Sequence, residues 1–365
     1  MKIVFVINSL YGGGAERVLT LVANELAKRG YEVVIITYLS NSKYTLYNTI
    51  RHIAVFDNDE MKKVDFFSKF KRRLIFYFRI IKILKLQKPD ILISFLNGMN
   101  RKIIPIAKFL KLKLIVSEHN NHKAGRNFFS WFARRWLYKL PNAVTVLTKY
   151  DYNNYYNHFL KNVVVMPNPV TFNSIDNISQ REKVILVAGY LDRWEHKGFD
   201  NLLFIFAEIV KKHPQWKLKI AGSGDKGMQY LKDIAKRLDI ENNVIFLGFV
   251  KNINEEFKKA SIYVLSSRYE GFPMVLIEAM SQGCACISYN CISGPSEIIQ
   301  DGIDGILVED QNMKEMEKAI SKLINDENLR NSLAKNAIKN IQKFSIDKIG
   351  DRWVNLIEDI YQRNA

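Results

Sequence analysis

Short apolar runs alternate along this chain with longer stretches of helical period. The runs predict strands at 2–8, 32–38, 52–56, 90–95, 113–117, 142–147 and 162–166, then at 183–189, 217–221, 243–248, 261–265 and 285–289. The stretches between them predict helices at 15–29, 62–88, 99–111, 148–158, 201–212, 227–238 and 273–282, and three more close the chain at 312–325, 327–343 and 346–362. Strand–helix alternation implies parallel sheets with crossover helices, an α/β class. No internal repeat or low-complexity tract interrupts the plan. At 365 residues the chain exceeds the roughly 250–300 at which one core stops growing, so two domains are expected. Pro167-Asn168-Pro169-Val170 forbids continued pairing, which places a linker from there to about residue 182. The expected domains are therefore 1–170 and 183–343.

The chemistry gathers in loops at carboxyl ends of strands, where open parallel sheets bind ligands. Arg268-Tyr269-Glu270-Gly271-Phe272-Pro273 follows one strand and leads into the helix that carries Glu278. Pro273 suits a first helical turn. Two carboxylates, one in the loop and one about two turns on, can grip different hydroxyls of a polyol ligand. Equally, they can be a surface Glu and a helix Glu with no shared task. After the first strand, Gly12-Gly13-Gly14 feeds a helix, an arrangement that offers backbone amides to a phosphate or simply makes a tight turn. It matches neither the dinucleotide spacing nor a Walker loop. Lys197-Gly198 offers a cation beside a helix start, and Gly222-Ser223-Gly224-Asp225 makes a second small-residue turn. Ser117-Glu118-His119-Asn120 ends a strand of the first half, and Phe249-Val250 follows one in the second.

Glu270…Glu278, with Ser266, Gly271, Pro273 and Leu276-Ile277-Glu278-Ala279 around them, resembles the E-x7-E motif of family 4 retaining glycosyltransferases with the GT-B fold. Ser293-Gly294-Pro295-Ser296-Glu297 and Asp301-Gly302-Ile303-Asp304-Gly305 match the same family's closing pattern, so the resemblance spans nearly the whole chain. It implies two Rossmann-like domains with parallel sheets facing across a cleft, the final helix, 346–365, crossing back onto the first domain. By the same resemblance Glu270 and His119 act at the donor sugar, Glu278 holds the ribose, and Lys197 neutralises the leaving diphosphate. The loops at Gly13, Gly14, Gly222, Gly224, Gly271, Phe272 and Pro273 line the nucleotide sugar, with Phe249 and Val250 along its base. The family's Arg directly after the glycine is absent: Tyr190 stands in its place, and Arg193 is the substitute at hand. The implied reaction moves a hexose or N-acetylhexosamine from a UDP-sugar with retention, without metal or other cofactor. Within the family the chain is similar to N-acetylgalactosaminyltransferases acting on undecaprenyl-diphosphate-linked oligosaccharides.

Composition narrows the partners. At 48% hydrophobic and 25% charged residues the chain is an ordinary globular one. Charge is lopsided: residues 1–172 hold 28 Lys and Arg against 10 Asp and Glu, and the remainder 26 against 27. The first half thus faces an anionic partner. The expected helix 62–88 interleaves Lys62, Lys63, Lys71, Arg72, Arg73, Arg79, Lys82 and Lys85 with more apolar residues than one narrow face accepts. Arg126 to Lys139 adds Phe128, Phe129, Trp131, Phe132 and Trp136 beside Arg134 and Arg135. An anionic membrane surface fits this mixture, and a core-facing helix with a solvated basic face is the plainer reading. No nucleic-acid-binding signature accompanies the charge, so nucleic acid is not expected. Nothing approaches the ~20 apolar residues of a spanning helix, and residues 1–8 read as a strand rather than a signal peptide. The expected location is cytoplasmic, peripheral on the inner face of the membrane, with a lipid-linked saccharide as acceptor. Cys284, Cys286 and Cys291 read as structural thiols, and Asp57-Asn58-Asp59 as a turn rather than a metal-binding D-x-D. Two other classes stay open: a nucleotide-sugar epimerase of the same fold, and a non-catalytic basic lipid- or nucleic-acid-binding protein.

Overall fold

A computed structural model describes residues 1–57, 66–121, 128–178 and 180–363. Asn58, Asp59, Lys62, Lys63 and Arg126 of the expectations above lie outside the described residues. The chain forms two compact units, Met1–Pro169 with Ile346–Ala365, and Val170–Ser345.

The first unit holds seven strands: β1 (Lys2–Ile7), β2 (Glu32–Leu39), β3 (Arg51–Phe56), β4 (Ile91–Phe95), β5 (Leu114–Ser117), β6 (Ala143–Val146) and β7 (Val163–Val165). They form one parallel sheet in the order β3-β2-β1-β4-β5-β6-β7. Its central strands β1 and β4 are buried almost throughout and apolar but for Lys2 and Ser94, because helices cover both faces. The helix Ile346–Gln362 packs on Gly14–Lys28. Arg29 donates to Asp351 at 2.6 Å and Tyr31 to Glu358 at 2.7 Å across that contact.

The second unit holds β8 (Glu182–Ala188), β9 (Lys217–Ala221), β10 (Val244–Gly248), β11 (Ala260–Leu265), β12 (Ala285–Tyr289) and β13 (Ile306–Val308). These form a parallel sheet in the order β10-β9-β8-β11-β12-β13. Both sheets are therefore doubly wound and Rossmann-like. Their order reverses between β1 and β4 and between β8 and β11, and the carboxyl ends there are the ligand positions such sheets offer.

Three expectations change. The span 167–182 was expected as a linker, but from Val170 it is bonded into the second unit. Val170 N–H donates to the Phe344 carbonyl at 2.8 Å, and Ile175 N–H to that of Ser281 at 3.1 Å. The helix Phe66–Gln87 was expected to carry too many apolar residues for one face. Instead, over residues 71–87, Phe76, Ile80 and Leu84 are buried in the sheet's core and Ile75, Tyr77, Ile81 and Ile83 flank them, while Leu74, Phe78 and Leu86 are exposed. Finally, Arg134 does not rim a surface. It lies buried on the inner side of the helix Phe128–Arg135, its Nε 3.2 Å from Glu118, because Ser130, Ala133 and Arg134 share the inward face.

Candidate active site

In the second unit the loop after β8 and the loop after β11 meet at the point of sheet reversal. The first runs through the short helix Trp194–Lys197 to Gly198, which caps it in the left-handed region at φ 64°. A Cβ on Gly198 would stand 2.0 Å from the Ser266 carbonyl oxygen, so only glycine admits the second loop so close. Lys197 ends one short helix, and only Gly198 separates it from the start of Phe199–Lys212.

A row of bonds joins the loops. Ser266 Oγ donates to the Lys197 carbonyl at 2.8 Å, and Arg268 N–H to that of His196 at 2.9 Å. The Arg268 guanidinium grips both oxygens of Asp200, at 2.9 and 3.0 Å. The His196 ring stacks on Tyr269 at 4.0 Å. This frame brings Lys197 Nζ to 2.8 Å from Glu270 Oε1, which also accepts from Ser267 Oγ at 2.6 Å. Burial alone would raise the Glu270 pKa. Lys197 and Ser267 outweigh it and hold the carboxyl below its ordinary range. A lysine and an ionised carboxylate thus stand together at the switch point: one fit to meet a diphosphate, the other to accept from sugar hydroxyls.

The flanking positions divide into backbone and side-chain roles. Gly271 and Gly294 lie so close that a Cβ on Gly294 would meet the Gly271 oxygen at 2.6 Å. Phe272 was expected at the nucleotide sugar, but its ring is buried edge-on against Phe344 at 5.2 Å, so only its backbone is on offer. Pro273 caps the helix Met274–Ser281. In that helix Glu278 is buried and accepts from Thr171 Oγ1 at 2.6 Å. Gly222 and Gly224 let the β9 turn press on the Tyr190–Asp192 turn: their Cβ atoms would meet Gly189 O at 1.7 Å and Asp192 N at 2.6 Å. Asp192 Oδ1 then accepts from Gly227 N–H at 2.8 Å, a role sequence reading did not assign. Tyr190 is exposed and bonds Asp192, Arg193 is exposed beside it, and the Phe249 ring is 78% exposed past β10, with Val250 half-buried.

The first unit's glycine loop behaves differently from expectation. The Gly12 and Gly13 amides donate to Glu16 Oε2 at 2.6 and 2.8 Å, and Ser9 Oγ to Oε1 at 2.6 Å. Glu16 lies in the first turn of Gly14–Lys28 and caps it. The Gly13 amide expected to meet a phosphate is thus taken by a carboxylate. The glycine-x-x-Glu spacing was the available signal.

His119, past β5, stacks on Phe95 at 4.7 Å with Nε2 3.0 Å from Ser117 Oγ. Ser117 Oγ already accepts from Thr145 at 2.7 Å, so its own proton is free to go to Nε2. That arrangement puts the imidazole proton on Nδ1, which is buried and has no partner among the described residues. Burial pushes the His119 pKa down to about 3, so the ring is neutral near pH 7, and in that tautomer Nδ1 can donate. Beneath it Glu118 Oε2 accepts from Tyr138 at 2.9 Å, Arg134 at 3.2 Å and Asn97 at 3.3 Å, a buried support that no local spacing announces.

Cys284, Cys286 and Cys291 are buried free thiols, and Cys284 Sγ donates to the Phe257 carbonyl at 3.0 Å. Among the described residues no cluster of His, Cys, Asp and Glu could hold a metal, and no helix is long and apolar enough to cross a membrane.

Comparison with known proteins bears on the family and the fold. The family model for glycosyl transferases group 1 matches residues 171–340, and that for glycosyltransferase family 4 matches 12–173. A Campylobacter jejuni relative is 34% identical over 364 residues, covering 99% of either chain. It is described as the alpha-1,4-N-acetyl-D-galactosaminyltransferase of GalNAc-alpha-(1->4)-GalNAc-alpha-(1->3)-diNAcBac-PP-undecaprenol. Among solved structures, sucrose-phosphate synthase of Thermosynechococcus elongatus superposes with TM-score 0.82 at 17% identity over 99% of each chain. Anabaena HepE in complex with UDP-glucose does so with TM-score 0.80 at 17% identity, over 98% of this chain and 100% of its own.

Proposed function

The chain belongs to family 4 of the GT-B glycosyltransferases, and from that premise we propose that it moves a hexose or N-acetylhexosamine from a UDP-sugar to a lipid-linked saccharide, with retention at the anomeric carbon. The observation that carries the donor side is the Lys197–Glu270 pair at 2.8 Å, set at the β8/β11 reversal. On donor binding Lys197 turns to the diphosphate, and Arg193 adds a second cation from an exposed position. Glu270, held ionised, accepts from sugar hydroxyls, and Glu278 takes the ribose in exchange for Thr171. His119 donates through Nδ1 to a sugar oxygen. The anomeric carbon–phosphate oxygen bond breaks and the acceptor oxygen bonds to that carbon on the same face. The acceptor's proton passes to the departing phosphate oxygen, so the products are UDP and the extended saccharide. Stabilising the departing anion with prearranged charges does the work, with no carboxylate nucleophile, metal or cofactor.

The acceptor side rests on the C. jejuni relative's polyprenol-linked substrate and on the first unit's surface. Lys71, Leu74, Phe78, Lys82 and Lys85 are all exposed and lie within roughly 80° of arc on the helix Phe66–Gln87. Phe128, Phe129, Trp131 and Trp136 are at least half exposed. Aromatic rings among lysines suit the headgroup level of an anionic bilayer, and this reading puts the enzyme on the cytoplasmic face of the membrane.

The test supplies UDP-GalNAc, UDP-GlcNAc and UDP-glucose, each with and without an undecaprenyl-diphosphate-linked saccharide, and follows products by NMR. An α-linked extension that needs the acceptor is expected. An isomerised donor formed without acceptor, or a β-linked product, would overturn the reading. Sedimentation with anionic vesicles should be lost in the Lys71→Glu/Lys82→Glu/Lys85→Glu variant; unchanged sedimentation removes the membrane surface from the account.

A further inference from the structure

The second unit has a cavity that takes no part in the site above. It lies at the opposite end of the same sheet, where Lys183 and Ser261 are the second residues of β8 and β11, Gln215 and Trp216 precede β9 and Gly283 precedes β12. Lys197 and Glu270 follow the carboxyl ends of β8 and β11, so a strand's length separates the two places, roughly 15–20 Å at 3.3 Å per residue. The cavity encloses about 670 Å³, within the range of small-molecule sites.

Its charge is not an average property of its surroundings. From residue 173 onward the chain holds 26 Lys and Arg against 27 Asp and Glu. Yet the cavity is lined by Arg181, Lys183, Arg330 and Lys335, with His213, against the single carboxylate of Glu327. Glu327 stands 3.7 Å from Arg330 with its side chain 75% exposed, so it neutralises little. Among the described residues neither Lys183 nor Lys335 makes an ion pair.

Arg181 is the decisive member. Its guanidinium donates to three carbonyls, Nη1 to Phe257 at 2.8 Å and Ala260 at 3.0 Å and Nη2 to Gln282 at 2.7 Å, and among the described residues it makes no ion pair with a carboxylate. Its Nε is buried with no partner. Carbonyl dipoles orient a cation but do not cancel its charge, and a half-buried cation without a counter-ion is costly. Gly283 fixes the arrangement, since a Cβ there would stand 2.8 Å from Nη2. Arg330 is pinned likewise, Nη1 donating to the Leu323 carbonyl at 2.6 Å. Two anchored guanidiniums and two unengaged lysines are thus held around a space with amide and hydroxyl groups from Asn325, Asn331, Gln215 and Ser261. Fixed cations recognise phosphoryl oxygens, and the neutral groups match hydroxyls.

We propose that this cavity binds a small phosphorylated ligand of the sugar-phosphate class, at a second site separate from the donor site. The site requires no catalysis and stands whether or not the chain transfers a sugar.

The experiment uses the full chain carrying Lys197→Ala, so that the donor site contributes little, and titrates inorganic pyrophosphate or glucose 1-phosphate by calorimetry and thermal shift. Both should bind and raise the melting temperature by several degrees at about 100-fold excess over Kd. A tighter glucose 1-phosphate assigns the hydroxyl-bearing half of the ligand to the amide groups, and equal binding assigns the site to the phosphoryl group alone. Adding Lys183→Glu and Lys335→Glu, both at exposed positions, should leave the ligand-free melting temperature unchanged and weaken both ligands about tenfold or more. The proposal is overturned if Lys197→Ala alone abolishes phosphate binding, or if the double charge reversal leaves Kd unchanged.

Discussion

The two glycine-bearing loops at the two sheet reversals make an instructive pair. Each follows the first strand of a doubly wound parallel sheet, and each offers close-packed backbone to the carboxyl ends. After β1 the amides of Gly12 and Gly13 are consumed by Glu16, one turn into the same helix. After β8 the glycine at 198 serves a different end: it lets the Ser266–Glu270 loop lie against Lys197. One loop is closed on itself by a carboxylate. The other ends in a cation paired with Glu270 of the neighbouring loop. Glycine marks close approach in both, and what approaches has to be read from the charged residues around it.

The sharpest way to break the comparison is Lys197→Ala. It removes the cation proposed for the leaving diphosphate and leaves Glu270 without its ion-pair partner. Turnover should fall by about 10³ with the fold retained, as read by steady-state transfer and circular dichroism. A loss under tenfold would make the two loops equivalent. Next comes Gly198→Ala, which forces a Cβ into the Ser266 carbonyl at a left-handed φ. It should cost about 3 kcal/mol in chemical denaturation, and activity should fall with it.

Acid separates the two units further. The native His119 binds its proton only near pH 3, whereas an unfolded histidine does so near 6.5. Below that value the unfolded state takes up the proton first, so stability falls by at most ~1.4 kcal/mol per pH unit on its account. Glu270, held below its ordinary value, adds stability above the unfolded carboxyl range and loses it as pH falls through the native pKa. His119→Gln should therefore flatten the stability profile between about pH 6.5 and 4, while Glu270→Gln should change it only below that window. The smallest effect belongs to Glu16→Ala, which should cost about 1 kcal/mol of stability and leave the donor KM within about twofold. A donor KM that drops sharply would mean that Glu16 had been occupying a phosphate site.

Much of this was legible in the residues. Central strands buried on both faces are nearly continuous apolar runs, so twelve of the thirteen strands among the described residues were placed by pattern, and the short β13 was not. Lys197, Glu270 and His119 stand in loops at strand ends, where side chains escape the core, but the roles expected of them came from the family resemblance rather than from that placement. The Phe272 ring packs against Phe344 because a ring beside a site is as good a packing element, which leaves only its backbone for the expected role. Arg134 was misjudged because composition counts charge without direction. The helical spacing of Ser130, Ala133 and Arg134 would have turned it inward. Its pairing with Glu118, sixteen residues away, depends on tertiary structure and leaves no local trace.

Calorimetric titration of UDP into the wild-type chain and into Lys197→Ala tests the central claim most directly. The account predicts a clear binding isotherm for the wild type and an affinity weaker by about 100-fold for the variant, the loss expected when a charged partner of a phosphate is removed. Equal affinities would contradict it, because the donor's diphosphate would then lie somewhere other than the β8/β11 reversal.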